Sequence, residues 1–88
     1  PESNSMNITV RYFASIREAM GTGSEALQTS ATTVGALREA LMARSPAAAA
    51  ALAPGKAVRM ALNQDLCQGD APLKAGDEVA FFPPVTGG

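Results

Sequence analysis

The sequence predicts an α+β domain in which one main helix covers one face of a mixed β-sheet. Three observations carry this. Runs of period-two alternation lie near both ends of the chain, at residues 6–13 and 78–82. One long segment with apolar residues at helical spacing, 34–42, lies between them. Turn-forming glycines, prolines and asparagines cut the rest into pieces of strand length. With 88 residues the chain makes one small domain, and a domain of this size buries somewhat more than about 60% of its unfolded surface.

Residues 1–5 are polar and aperiodic, and are expected to be a disordered or expression-derived arm before a natural start at Met6. Residues 6–82 are expected to fold and 83–88 to form a flexible C-terminal tail. In residues 6–13, Ile8, Val10 and Tyr12 share one face, while Asn7, Thr9 and Arg11 share the other. Phe13 falls on the polar side. Residues 16–20 suit a helical turn, Gly21-Thr22-Gly23 a turn, and 24–29 a second strand that can hairpin with the first. Thr32 or Thr33 can cap the main helix. That helix carries Val34, Leu37 and Leu41 as a stripe with Met42 beside it, so Arg38 and Glu39 are expected to face solvent.

Ser45-Pro46 ends the helix, because the residue before a proline avoids helical geometry. The alanine-rich residues 47–53 have high helix propensity but, apart from Leu52, little to bury, and read as a short helical turn or ordered loop. Pro54-Gly55 is a turn. Val58, Met60 and Leu62 alternate with Arg59 and Ala61 as another strand. Asn63-Gln64-Asp65 is turn-like, and 66–68 is a short strand. Leu73 is a core anchor before the Ala75-Gly76-Asp77 turn. In the last strand, 78–82, Val79 and Phe81 face one way and Ala80 and Phe82 the other. Pro83 then ends pairing, since it has no N–H to donate. A first hairpin, a helical crossover and later strands returning beside the first describe the β-grasp architecture, with no internal repeat and no linker.

Composition narrows the function. Seven basic and eight acidic residues give a net charge of −1, which suggests no nucleic-acid partner. No apolar run of about 18 residues is present to span a membrane. The single cysteine, Cys67, has no internal partner, in keeping with a reducing cytoplasm. It reads as a small buried hydrophobe. Without histidine or a cysteine cluster, no zinc-type metal site is expected. The usual nucleophile–histidine pair is likewise unavailable, so the chain is not expected to supply a general base.

The sequence ends Phe81-Phe82-Pro83-Pro84-Val85-Thr86-Gly87-Gly88. Paired terminal glycines have nothing to pack and lose much entropy if ordered. A stiff Pro-Pro step followed by a thin tip suits carrying the Gly88 carboxylate into another protein's active site.

Three segments resemble the ubiquitin-like sulfur carriers that serve as small subunits of molybdopterin synthase. They are Tyr12-Phe13-Ala14-Ser15-Ile16-Arg17-Glu18 followed by Gly21, then Thr33-Val34-Gly35-Ala36-Leu37-Arg38, and then Leu62-Asn63-Gln64 with Pro72-Leu73 and the run from Gly76 to Gly88. The alanine-rich stretch and the turn around Gly69-Asp70 depart from the pattern. The resemblance implies a non-catalytic sulfur-donor subunit with no bound cofactor. A ubiquitin-activating-like adenylyltransferase would use ATP to adenylate the Gly88 carboxylate. A sulfur donor protein would convert the adenylate to a thiocarboxylate. The large subunit would supply the catalytic residues, and there the sulfur would pass to cyclic pyranopterin monophosphate to form the dithiolene. A heterotetramer with two central large subunits is expected.

By the same resemblance Phe13, Leu66 and Phe82 form an apolar patch that docks the large subunit. Arg17 is either a solvated charge or a rim contact to that partner. Pro83, Pro84, Val85, Thr86 and Gly87 insert as the tail, and Gly88 carries the reacting carboxyl group. The other readings are a carrier for thiamine, cysteine or tRNA thiolation, a ubiquitin-like modifier joined to lysines, and an interaction module with an inert tail.

Overall fold

The two alternating segments near the chain ends become neighbours at the centre of one sheet. The computed structural model describes residues 5–53 and 57–84. In order, the chain forms β1 (Met6–Tyr12), α1 (Ala14–Met20), β2 (Ser24–Thr29), α2 (Val34–Arg44), α3 (Pro46–Ala51), β3 (Arg59–Leu62), β4 (Asp65–Cys67) and β5 (Glu78–Phe82). The sheet order is β2-β1-β5-β3-β4. β1 and β5 run parallel, with Val10 beside Val79 and Tyr12 beside Phe81. The remaining pairs, β1 with β2, β3 with β5 and β3 with β4, are antiparallel. This is the β-grasp arrangement, and the expected α+β class holds.

Alternation places Ile8, Val10 and Tyr12 of β1 and Val79 and Phe81 of β5 on the inner face, all buried. Val34, Leu37 and Leu41 of α2 close over them, also buried. Each such side chain contributes roughly 1.5–3 kcal/mol when withdrawn from water. The Tyr12 and Phe81 rings stack with centroids 6.3 Å apart. Leu73 joins the same core.

The start of α2 is capped from two directions. Thr33 Oγ1 accepts the Ala36 N–H at 3.1 Å. The Val34 and Gly35 amides donate to the Ala71 and Gly69 carbonyls at 3.0 and 2.8 Å. Three of the four amides that a helix start leaves open are thereby satisfied. Gly35 is required here, because a Cβ would lie 2.9 Å from Gly69 O.

The structure differs from the sequence expectation in several places. β1 ends at Tyr12, and Phe13 becomes the extended N-cap of α1. The cause is Ala14, whose left-handed φ of 54° breaks the pleat. Two short helices accompany the main one. α1 buries Ile16, and α3 buries Ala48, with Leu52 just beyond its end buried too. The alanine-rich segment therefore has more to bury than Leu52 alone. Ser45 starts α3 by accepting the Ala48 N–H at 3.1 Å, with Pro46 at the first position.

Arg38 does not face solvent. Its Nε and one terminal nitrogen donate to the Leu52 and Ala53 carbonyls at 2.7 and 2.9 Å, holding the end of α3. β4 runs Asp65–Cys67 rather than 66–68, because Asn63 and Gln64 alone make the turn, both with left-handed φ, 53° and 73°. Cys67 is half-buried, and burial followed by the Asp70 charge raises its thiol pKa. The Pro54-Gly55 turn and residues 1–4 lie outside the described residues. Among the described residues, no helix is long and apolar enough to cross a membrane.

Candidate functional site

The outer face of the sheet has a floor set by strand register. Residues paired directly across strands point to the same side. One row runs Arg11–Ala80–Ala61–Leu66 across β1, β5, β3 and β4. Its two central members are alanines, so the middle of the row is low. Phe13, Phe82 and Leu66 stand around it, and Pro83 and Pro84 continue the wall. The result is an open, mainly apolar concavity of about 690 Å³. Phe13 and Leu66 are the exposed large hydrophobics among the described residues, at 42% and 68%, and both border it. Grouped apolar exposure of this kind is a common feature of interaction surfaces, whereas single exposed apolar side chains are not.

One side of the concavity is charged but internally paired. Arg11 donates to Glu78 Oε2 at 3.1 Å. The same guanidinium lies over the Phe13 ring, 6.0 Å from its centroid. Glu78 is fixed from below by the β3–β4 turn. Its N–H donates to Asn63 Oδ1 at 3.0 Å, and Asn63 N donates to the Glu78 carbonyl at 2.7 Å. Asn63 Nδ2 also donates to Asp77 Oδ1 at 3.1 Å, while Asp77 Oδ2 accepts the Lys74 amide at 2.8 Å. The turn residues thus set where β5 begins and, through register, where Phe82 ends up.

The structure brings Phe13, Leu66 and Phe82 together with Pro83 and Pro84. Arg17 is not part of this group. It is exposed on α1 over the turn at residues 21–23, close enough that a Cβ on Gly23 would sit 3.2 Å from its Nε. Val85, Thr86, Gly87 and Gly88 lie outside the described residues. Ala61, Ala80, Arg11 and Glu78 are site residues that sequence reasoning did not single out. Their signal was the strand register, which a single sequence does not state. Among the described residues, no three His, Cys, Asp or Glu side chains gather as a metal-binding group.

A β-grasp sheet whose apolar outer face runs on into Pro83 and Pro84 defines a ubiquitin-like fold. The chain belongs to the ThiS family, which matches residues 10–88. It is 49% identical over 81 residues to the molybdopterin synthase sulfur carrier subunit of Escherichia coli (strain K12), covering 92% of this chain and 99% of the relative. The solution structure of Haloferax volcanii HVO 2177 matches with a TM-score of 0.78 at 29% identity, over 100% of this chain and 92% of that one. A chain from the complex of subunits 1 and 2 of the Helicobacter pylori molybdopterin-converting factor matches with a TM-score of 0.63 at 31% identity, over 94% of this chain and 100% of that one.

Proposed function

We propose that this protein is the sulfur carrier subunit of a molybdopterin synthase. The observation that carries the reading is the 49% identity to a named carrier of that enzyme over 92% of the chain. The structure adds a physical rationale. The outer-face concavity is bounded by Phe82, Pro83 and Pro84, so the docking surface and the root of the tail are one continuous feature. A partner gripping Phe13, Leu66 and Phe82 receives the following residues at a fixed entry point. The Helicobacter pylori relative is found in a complex of subunits 1 and 2, which supports a large subunit as that partner. The modifier reading rests on less: the Haloferax volcanii structure named small archaeal modifier protein 1 matches with a TM-score of 0.76 but at 24% identity, which shows the fold alone.

The chemistry follows from the state of the carboxyl terminus. A free α-carboxyl group ordinarily has a pKa of about 3.3–3.7, so at neutral pH it is ionised and a poor electrophile. A ubiquitin-activating-like adenylyltransferase joins it to the α-phosphate of ATP and releases pyrophosphate. A donor persulfide sulfur then attacks the acyl carbon and AMP leaves, giving an acyl disulfide; a second thiol attacks the donor's sulfur, forms a disulfide with it and so supplies the two electrons that release the thiocarboxylate. In the large subunit that sulfur takes the place of an oxygen on a side-chain carbon of cyclic pyranopterin monophosphate, the C–O bond breaking as the C–S bond forms, and hydrolysis of the acyl link returns the carboxylate. Two charged carriers supply the two sulfurs of one dithiolene. The carrier acts in the cytoplasm, where a lone thiol such as Cys67 stays reduced.

Intact-mass measurement of the chain, purified from cells with an active sulfur-transfer system, tests this directly. The expected result is a shift matching replacement of one oxygen by sulfur, lost when Gly88 is deleted. The shift should reverse on incubation with the large subunit and cyclic pyranopterin monophosphate. An unshifted mass after treatment with ATP, the activating enzyme and a sulfur donor overturns the reading.

A further inference from the structure

The outer sheet face carries few charges, and their pairing is unequal. By register, its side chains include Thr9, Arg11 and Phe13 beside Glu78, Ala80 and Phe82, with Arg59 and Ala61 on the next strand. Arg11 and Glu78 neutralise each other at 3.1 Å. Arg59 is exposed and forms no ion pair among the described residues. It stands at the rim of the concavity, which it does not itself line. It pairs directly with Phe82 across β3 and β5, so the two side chains leave the sheet side by side. On its other flank it shares a groove with Leu66.

This placement has a consequence for docking. A partner that covers Phe82 must also strip water from the Arg59 side chain beside it. Withdrawing a charge from water without a counter-charge is strongly unfavourable. Arg11 has Glu78 and the Phe13 ring to compensate it, whereas Arg59 has neither. We infer that Arg59 is a specificity-determining contact, which meets a carboxylate of the large subunit placed beside the pocket that receives Phe82. Arginine suits this position, because its planar fork can bind a carboxylate through two parallel hydrogen bonds. A partner presenting a basic or purely apolar rim there would be rejected, which separates the cognate large subunit from other proteins with an apolar groove.

The inference rests on the reading that this face docks the large subunit, and the experiment separates the two. Binding of the full-length carrier to its cognate large subunit is measured by calorimetry at low and high salt. The variants are Arg59→Gln, Arg59→Lys, Arg59→Glu and, as a control for the face itself, Phe82→Asp. Arg59→Gln is expected to weaken binding about tenfold at low salt, with the gap narrowing at about 0.5 M salt as the charges are screened. Arg59→Lys should retain part of the affinity and Arg59→Glu should lose more than Arg59→Gln. If Arg59→Gln binds within about twofold of the parent at low salt, while Phe82→Asp abolishes binding, the role of Arg59 is overturned and the docking face stands. If Phe82→Asp binds normally, the docking face itself is wrong. Arg59 is exposed, so circular dichroism should find all its variants folded.

Discussion

The buried Tyr12 hydroxyl donates to Glu25 Oε2 at 2.6 Å, and this one carboxylate oxygen also receives Arg44 at 2.8 Å. The three residues tie β1, β2 and the end of α2 together. Burial, then the bond to Glu25, pushes the Tyr12 pKa well above its ordinary value. Burial alone would raise Glu25, but hydrogen bonds from Arg44 and Tyr12 and the Arg44 charge outweigh it and lower the net value. Because the folded state holds the Tyr12 proton more tightly than the unfolded chain, its stabilisation is complete below about pH 10 and fades as pH rises further. Glu25 acts in the opposite sense. Its stabilisation is present above about pH 4.3 and is lost as pH falls. Tyr12→Phe is expected to cost about 1.5 kcal/mol at neutral pH. It should also flatten the alkaline limb of a stability–pH profile measured by urea unfolding.

Gly35→Ala sets two effects against each other. Alanine gains up to about 1 kcal/mol of helix propensity over glycine. Its Cβ, however, would meet Gly69 O at 2.9 Å and strain the amide bond that caps α2. Overpacking against backbone costs about 1–3 kcal/mol. The expected balance is a loss of about 1 kcal/mol, seen as a lower Tm by calorimetry. A rise in Tm would show that the loop at Gly69 yields freely.

Arg38→Ala removes both bonds to the Leu52 and Ala53 carbonyls. Since Arg38 is only partly buried, a loss of about 1–2 kcal/mol is expected after allowing for solvent. Amide hydrogen exchange should speed up in α3 well before the sheet. Binding to the large subunit should be unchanged, because Arg38 is on the opposite side of the sheet from Phe82.

Leu66→Asp places a charge at the 68% exposed edge of the concavity, where the folded monomer scarcely notices it. Binding to the large subunit is expected to fall by about 30-fold or more, because docking would bury an unpaired carboxylate against apolar surface. Thermal unfolding should shift little. Unchanged affinity would place the docking surface elsewhere.

Much of the fold was legible because alternation and helical spacing report directly on burial. Ile8, Val10, Tyr12, Val34, Leu37, Leu41, Val79 and Phe81 all went where their periodicity put them. Of the apolar members of the candidate site, Phe13 and Phe82 were legible from alternation as lying on the face away from the core, whereas Leu66 entered only through the family resemblance. Arg38 was misread because its helical position suggested solvent, and nothing local to it announces that the carbonyls at the end of α3 will come within reach. The floor of Ala61 and Ala80 was hidden for a related reason. It exists only once β5 lies between β1 and β3, and register between distant strands is a property of the whole sheet.

That central position of β5 also constrains how the protein is made. β5 bridges two otherwise separate halves, β2-β1 on one side and β3-β4 on the other. Its partner β1 lies near the opposite end of the chain, so the pairing closes a long loop and is slow to form. A nascent chain still missing residues 78–82 has two unjoined hairpins and no Phe82. It can therefore neither complete its core nor offer the surface that would recruit a partner. Closure of the core and assembly of the docking face therefore both wait on the same strand.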